Sequence, residues 1–434
     1  MNAIWPRQFG IRDLIHLAPG ISLLRCHEPV APAGLPDGAG DMSDSPAMTK
    51  RFDAIVVGAG PAGSTAAFRL ATEGASVLVL DRQRFPRDKP CGGGVTIRGA
   101  RLLPFAIDPV VERVVDRINV TMGHHGPRCD VAADAPLVLM TQRRRLDQFL
   151  IEQAIAAGAE FRDAARVRAI DVAADGVVVR TDHGAIAAEV LVGADGANGV
   201  TRAALGAPEP SYAVALEGNL PRGAAGFDDA EYVTAALLEF NTVPGGYGWI
   251  FPKGDHCNFG VGGYLDEGSR LREHLADLCA TQGIAIDDLE HLRGHRLPIR
   301  RSGAPVATSR AVLVGDAAGL VDPFSGDGMF EAFLSSKLAA ETIADLLAGH
   351  ARDLSAYPTR LGSALEPHVA SAWIAKAVIE RAPEVMMGIL HLPGATGIVA
   401  GRMRASTTEH SATTRHIARF VGRRARRKLG PLAA

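Results

Sequence analysis

The residues of this chain best suited to chemistry sit in glycine-rich turns. Gly58-Ala59-Gly60-Pro61-Ala62-Gly63 follows the short β-branched run Asp53 to Val57 and opens an Ala-rich helical stretch, Ala62 to Glu73. Its first glycine permits a tight turn. The second lets backbone approach a pyrophosphate, and the third lets helix and strand pack closely. The helix N-terminus then offers unpaired N–H groups and a positive dipole end to phosphate. Gly74 breaks the helix, and a second apolar run, Ser76 to Leu80, ends at Asp81. A carboxylate there is placed for ribose hydroxyls and favours NAD or FAD over NADP.

Other stretches repeat this logic. Val192-Gly193-Ala194-Asp195-Gly196-Ala197-Asn198 is one, and Val314-Gly315-Asp316-Ala317-Ala318-Gly319 is another, followed by Pro323-Phe324-Ser325-Gly326-Asp327-Gly328-Met329. Here a strand leads through Gly-Asp into a glycine-rich turn that opens a helix, and the carboxylate can accept sugar or ribityl hydroxyls. In Phe85-Pro86-Arg87-Asp88-Lys89-Pro90-Cys91-Gly92-Gly93-Gly94, three glycines allow close approach to a flat ring. Cys91 is a candidate proton donor, with Lys89 as a positive charge. The alternative is a small buried thiol in a shaped turn. Tyr247, Trp249 and Phe251 alternate, which puts them on one side of a strand. They either pack a core or, in a chain only 5% aromatic, line an apolar substrate channel. His124, His125 and Cys129 have no second cluster and are too few for a structural zinc site, so no metal is expected. Gly-x-Ser-x-Gly is absent, so a hydrolase elbow has no support.

The elements that must position these residues read as follows. The first two runs and their helix form a β-α-β unit with parallel strands. Leu146 to Ala157 reads as a helix. Arg166 to Val192 reads as a meander of three strands, with turns at Ala174-Asp175-Gly176 and Asp182-His183-Gly184. Tyr212 to Asn219, Glu231 to Glu239, Tyr247 to Pro252 and His256 to Tyr264 alternate like antiparallel strands. Ala311 to Val314 is a buried strand before a glycine turn and a helix through Leu347, and Ser355 to Leu429 is helical in tendency. The expected class is α/β with an α+β insertion. A discontinuous Rossmann-like nucleotide-binding domain takes 51–100, 140–206 and 297–347. An antiparallel-sheet substrate domain takes 101–139 and 207–296, followed by a helical region over 348–434. Residues 1–50 read as a leader, with Met48 or Met42 as the expected true start.

The 434 residues are 47% hydrophobic and 22% charged with a net charge of -2, which excludes a bulk nucleic-acid binder and a disordered acidic protein. Five scattered cysteines fit a reducing compartment. No apolar run reaches membrane-spanning length, and Trp5, Pro6, Arg7 and Arg12 interrupt any signal-peptide core, so the expected location is cytoplasmic. The balanced charge hides a division. Arg415 to Lys428 holds seven cations and no acid, which leaves -9 for the rest. That tail is either a solvated terminus or a peripheral contact with anionic lipid.

Over about residues 52 to 345 the sequence resembles the p-hydroxybenzoate hydroxylase-like flavoproteins. Gly58 to Gly63, Arg143-x-x-Leu146-Asp147, Asp195-Gly196 and Gly315-Asp316 carry that likeness. Within the group it resembles the geranylgeranyl reductase family, through the Pro-x-x-Lys-x-Cys-Gly-Gly-Gly loop at 86–94 and the Tyr-x-Trp-x-Phe-Pro strand at 247–252, followed by Gly260-Val261-Gly262. Two positions depart from its pattern: Gly199, where a serine is frequent, and Gly326-Asp327-Gly328-Met329, where Gly-Glu-Gly-Ile is usual. The resemblance implies FAD, with Asp81 on the adenosine ribose, Val167 at the adenine and Arg143 at the phosphate–ribityl region. It places Asp316 on the ribityl chain and Gly92, Gly94, Gly328 and Met329 against the flavin. It further implies reduction of isoprenoid carbon–carbon double bonds, with Cys91, Tyr247 and Trp249 as catalytic candidates and NAD(P)H or reduced ferredoxin as electron donor. The alternatives are a flavin monooxygenase or halogenase of an aromatic or polyketide, and a flavin-binding regulatory or lipid-carrier protein.

Overall fold

The computed structural model describes residues 51–301 and 303–405. The leader and the basic tail lie outside them, as do the calls made there. The first β-α-β unit forms as its pattern requires. Phe52–Val57 and Val77–Leu80 pair in parallel around the Pro61–Thr72 helix. Pro61 suits the first helical turn because that turn needs no N–H from it. These strands belong to a seven-stranded sheet ordered Glu160–Arg162, Val77–Leu80, Phe52–Val57, Gly184–Gly193, Gly176–Thr181 and Val167–Ala173. Ala311–Leu313 also pairs with Gly184–Gly193. The meander is therefore the antiparallel wing of a parallel sheet. The Pro61–Thr72 and Met329–Leu347 helices pack over one face, burying Leu70, Val79, Val192 and Ile343.

A second seven-stranded sheet runs Glu290–Ile299, Ser211–Pro221, His256–Tyr264, Tyr247–Pro252, Ala235–Phe240, Arg117–Met122 and Arg128–Ala132. Its first five strands pair antiparallel. The Ala235–Phe240 strand then pairs in parallel with Arg117–Met122, which corrects the purely antiparallel expectation. Segments from 101–139 and from 207–299 thus share one sheet. The Glu231 to Glu239 run begins as a 3₁₀ turn, Asp229–Tyr232, before its strand. A small third sheet pairs Gly94–Thr96 and Val111–Val115 with the Val138–Thr141 strand between them. Three helices follow, Ala356–Arg381, Pro383–Leu390 and Ala395–Arg404. No single described helix is long and apolar enough to cross a membrane.

Candidate active site

The strand ends, glycine turns and helix starts converge on one cavity of 1140 Å³, larger than the usual small-ligand pocket. One arm is built for phosphate. Gly58 adopts φ +105°, and a Cβ there would come within 2.3 Å of Ala194 O. A Cβ on Gly63 would sit 1.8 Å from Gly58 O, so neither position accepts a side chain. Gly60 faces two guanidinium groups, Arg87 and Arg143. Both pair with Asp147. Arg143 donates through Nε and Nη2 at 2.7 Å each, and Arg87 Nη1 lies 2.8 Å from the same carboxylate. Burial works against the Arg143 cation, but Asp147 outweighs it and keeps it charged. Two cations and one anion leave net positive charge at a helix N-terminus, which fits a pyrophosphate.

Beside this cradle, Asp81 accepts N–H bonds from Ala59 and Gln83, both at 2.9 Å, so it braces the turn from the end of its strand. Ala165 donates to Asp81 O, which brings Val167 to the same end of the cavity. The ribityl candidate Asp316 is paired with Lys89 at 3.0 Å. Burial pushes the Asp316 carboxyl up, but the charge and hydrogen bond of Lys89, with Arg143 behind it, more than offset this and hold it below its ordinary value. His295 stands nearby with an unpaired Nε2. Burial and the Lys89 charge push it down to about 4, so it stays neutral.

Two aspartates brace helix starts. Asp195 lines the cavity, yet its carboxylate accepts from Val200 N–H, Thr201 N–H and the Thr201 hydroxyl. It caps the Thr201–Ala204 turn. A Cβ at Gly199 would fall 1.9 Å from Asp195 Cγ, which accounts for glycine at that departure. Asp327 accepts from Met329 N–H at 2.8 Å and Phe330 N–H at 3.3 Å, so it starts the Met329–Leu347 helix. The Met329 N–H is engaged in this helix start, and Gly328 and Met329 both line the cavity. The shorter aspartate reaches back to its own helix start, where a capping side chain belongs.

The two motifs that define the narrower family meet in space. A Cβ on Gly92 would lie 2.8 Å from Phe251 and 3.3 Å from Trp249 Nε1. The triglycine loop is thus seated on the aromatic strand, and Tyr247, Trp249 and Phe251 all line the cavity. Trp249 donates to Asn258 Oδ1 at 2.8 Å, and a Cβ on Gly260 would strike its ring. Its N–H is committed and its ring wedged, so it is a wall and not a proton carrier. The Tyr247 hydroxyl donates to Ser325 O, which ties the strand to the 323–329 turn. Burial and the nearby acids Asp327 and Asp322 raise its pKa, so it holds its proton firmly. Cys91 is half-buried, donates its N–H to Glu217 at 2.8 Å, and accepts from Gly93 N–H at 3.4 Å through sulfur. Gly94 packs on Val138.

Beneath the loop lies Lys253, missed as a site residue although it closes the aromatic motif. Only 2% exposed, its ammonium donates to Gly92 O at 2.5 Å and Thr141 O at 3.1 Å. Burial pushes it down to about 8. An unfolded lysine titrates near 10.4, so between about pH 8 and 10.4 the unfolded chain binds more protons than the native one. Stability contributed here therefore rises with pH across that window, by up to about 3 kcal/mol, and the desolvation cost is carried in full below it. In urea unfolding at pH 7.5 and 10, Lys253→Met is expected to lose that increment relative to the unsubstituted chain. Equal pH slopes would contradict the assignment. Arg87, Glu217 and His295 were also missed. Arg87 stood in the quoted loop as a cation beside a phosphate turn, whereas Glu217 and His295 gave no signal beyond strand alternation.

The other arm of the cavity is apolar, with Ile118, Val120, Met122, Leu238, Phe240 and Phe324 on its walls. His124 is drawn away to Glu239 at 3.0 Å, and Cys129 packs in the core beside this arm. Among the described residues no group of three His, Cys, Asp or Glu side chains could hold a metal.

Residues 51–220 match the FAD binding domain family. The chain is 31% identical over 312 residues to the geranylgeranyl diphosphate reductase of Rhodobacter capsulatus, which covers 70% of this chain and 78% of that protein. It is 31% identical over 340 residues to the menaquinone reductase of Mycolicibacterium smegmatis, covering 72% and 81%. The chain belongs to the geranylgeranyl reductase family. Members of this family are FAD-dependent oxidoreductases, and the phosphate cradle fits that cofactor. The fold agrees. A geranylgeranyl bacteriochlorophyll reductase-like protein of Thermoplasma acidophilum superposes with a TM-score of 0.72 over 87% of this chain and 99% of that one, at 19% identity.

Proposed function

We propose that the chain reduces carbon–carbon double bonds of an isoprenoid. The observation that carries this reading is the meeting of the triglycine loop and the aromatic strand, at the junction of a phosphate-binding arm and an apolar arm. FAD, when bound, supplies the hydride chemistry. Gly58, Gly60, Pro61, Ala62 and Gly63, with Arg87 and Arg143, hold its pyrophosphate. Asp81 and Val167 take the adenosine, and Asp316 takes the ribityl chain once Lys89 yields it. Gly92, Gly94 and Gly328 admit the ring. The segments 51–100, 140–206 and 297–347 form the cofactor domain, and 101–139 with 207–296 form the substrate domain.

An isolated alkene is a poor hydride acceptor, so a proton must be given to its second carbon. Cys91 is the donor we favour, because it is half-exposed in the cavity while the Tyr247 hydroxyl is committed to Ser325 O. The buried aromatic walls exclude water from that transfer. Electrons come from NAD(P)H or a reduced ferredoxin. The basic tail, Arg415 to Lys428, adheres to anionic lipid.

Stopped-flow spectroscopy under argon tests the reading. Reduced flavin absorbance should recover on mixing with a geranylgeranyl substrate. Recovery only with oxygen would instead mark a monooxygenase or halogenase, and no recovery with either would mark a carrier.

A further inference from the structure

The apolar arm of the cavity opens between the C-terminal helices. Trp373 and Val399 both line it, and they are 43% and 37% exposed, so they mark its mouth. Met386, Leu390 and Met403 line the inner side of the same opening. Around it the surface is unusually greasy. Ile374 is 44% exposed and Leu392, at the tip between two helices, is 51% exposed. From Val385 to Gly401 the sequence holds no Asp, Glu, Lys or Arg. The Pro383–Leu390 and Ala395–Arg404 helices meet at 90°, so this apolar run forms a bent hairpin.

Exposed apolar patches of this kind mark interaction sites. The charge pattern selects the partner. Arg402 turns into the cavity beside His368, Glu384 is the one acid of the hairpin, and Arg404 ends it; the chain that follows carries seven cations and no acid between Arg415 and Lys428. Apolar residues followed by a polybasic segment suit the surface of an anionic bilayer, where burial of the tip and attraction of the cations act together. A second copy of the chain would bring a second set of the same cations to the same face and is disfavoured.

We propose that the hairpin 383–404, with Trp373 and Ile374, seats on an anionic membrane. The cavity mouth then opens into the lipid, and a long apolar substrate enters without crossing water. The substrate half of this inference rests on the isoprenoid reading above, and the docking half does not.

The test uses full-length, FAD-loaded protein and vesicles of phosphatidylcholine with or without phosphatidylglycerol. We expect flotation with the anionic vesicles, and an apparent affinity about tenfold or more weaker for Leu392→Glu, a change outside the cavity lining that should leave flavin content intact. Brominated lipid should quench a tryptophan signal that disappears in Trp373→Phe. The proposal is overturned if Leu392→Glu floats like the unsubstituted protein, if bromolipid leaves the Trp373 signal unquenched, or if the substitution splits a dimer that never floats. Detergent-dispersed geranylgeranyl substrate separates the two readings. Reduction without flotation sinks the docking and keeps the function, and flotation without reduction does the reverse.

Discussion

Arg143→Met should yield a protein that purifies without FAD and is about 3 kcal/mol less stable. Arg143 is 6% exposed and Asp147 is fully buried, and the pair is bidentate at 2.7 Å. Removing one partner of a buried ion pair typically costs about 3–5 kcal/mol, because the other charge is left unsatisfied. Arg87 still reaches Asp147 at 2.8 Å, so the loss should fall at the lower end. The cofactor loses more. One of the two guanidinium groups facing Gly60 is gone, and the survivor is drawn onto Asp147. The double change Arg143→Met with Asp147→Leu separates the effects. It should recover part of the stability, since the stranded Asp147 charge is gone although Arg87 loses its partner, yet still fail to hold FAD. Flavin absorbance per polypeptide and urea unfolding read the two quantities. Stoichiometric FAD in Arg143→Met would remove the pyrophosphate assignment.

Cys91→Ala should keep FAD and be reduced at the normal rate by its electron donor, yet lose about 10²–10⁴-fold in alkene reduction, the usual contribution of a positioned proton donor. The loop that carries Cys91 is fixed independently of the thiol. Its N–H is held by Glu217, Gly92 O by Lys253, and Gly92 itself lies on Phe251 and Trp249. Loss of the sulfur should therefore leave the cofactor face in place. Cys91→Ser should retain part of the rate. Pre-steady-state traces of the two half-reactions check this, and full turnover in Cys91→Ala would return the role to Tyr247.

The phosphate arm was legible in the sequence because its glycines answer a backbone demand. Gly58 and Gly63 have no room for a Cβ, and such a demand fixes residue type at fixed spacing. The aromatic strand was legible for a similar reason, since alternation alone puts Tyr247, Trp249 and Phe251 on one side. Less visible were features that depend on distant partners. Arg117–Met122 and Arg128–Ala132 gave no strong strand signal, and nothing local announces that the former pairs in parallel with Ala235–Phe240. Carboxylates were hardest to assign. Asp195 and Asp327 stand in turns where a cofactor or a helix start could claim them, and the structure gives both to helix starts. Lys253 was passed over because a lysine after a strand usually points to water. It is buried here because two carbonyls, Gly92 O of the triglycine loop and Thr141 O of the neighbouring strand, need a donor.

On the reading proposed above, this protein adds two hydrogens across an isoprenoid double bond without oxygen. The most direct measurement is an anaerobic incubation of the chemically reduced protein with geranylgeranyl diphosphate, geranylgeranylated lipids, chlorophyll precursors and menaquinone, followed by mass spectrometry. A product heavier than one of these substrates by two hydrogens, or by a multiple of two, should form under argon. Product that forms only when oxygen is admitted, with oxygen or halogen incorporated, would contradict that reading.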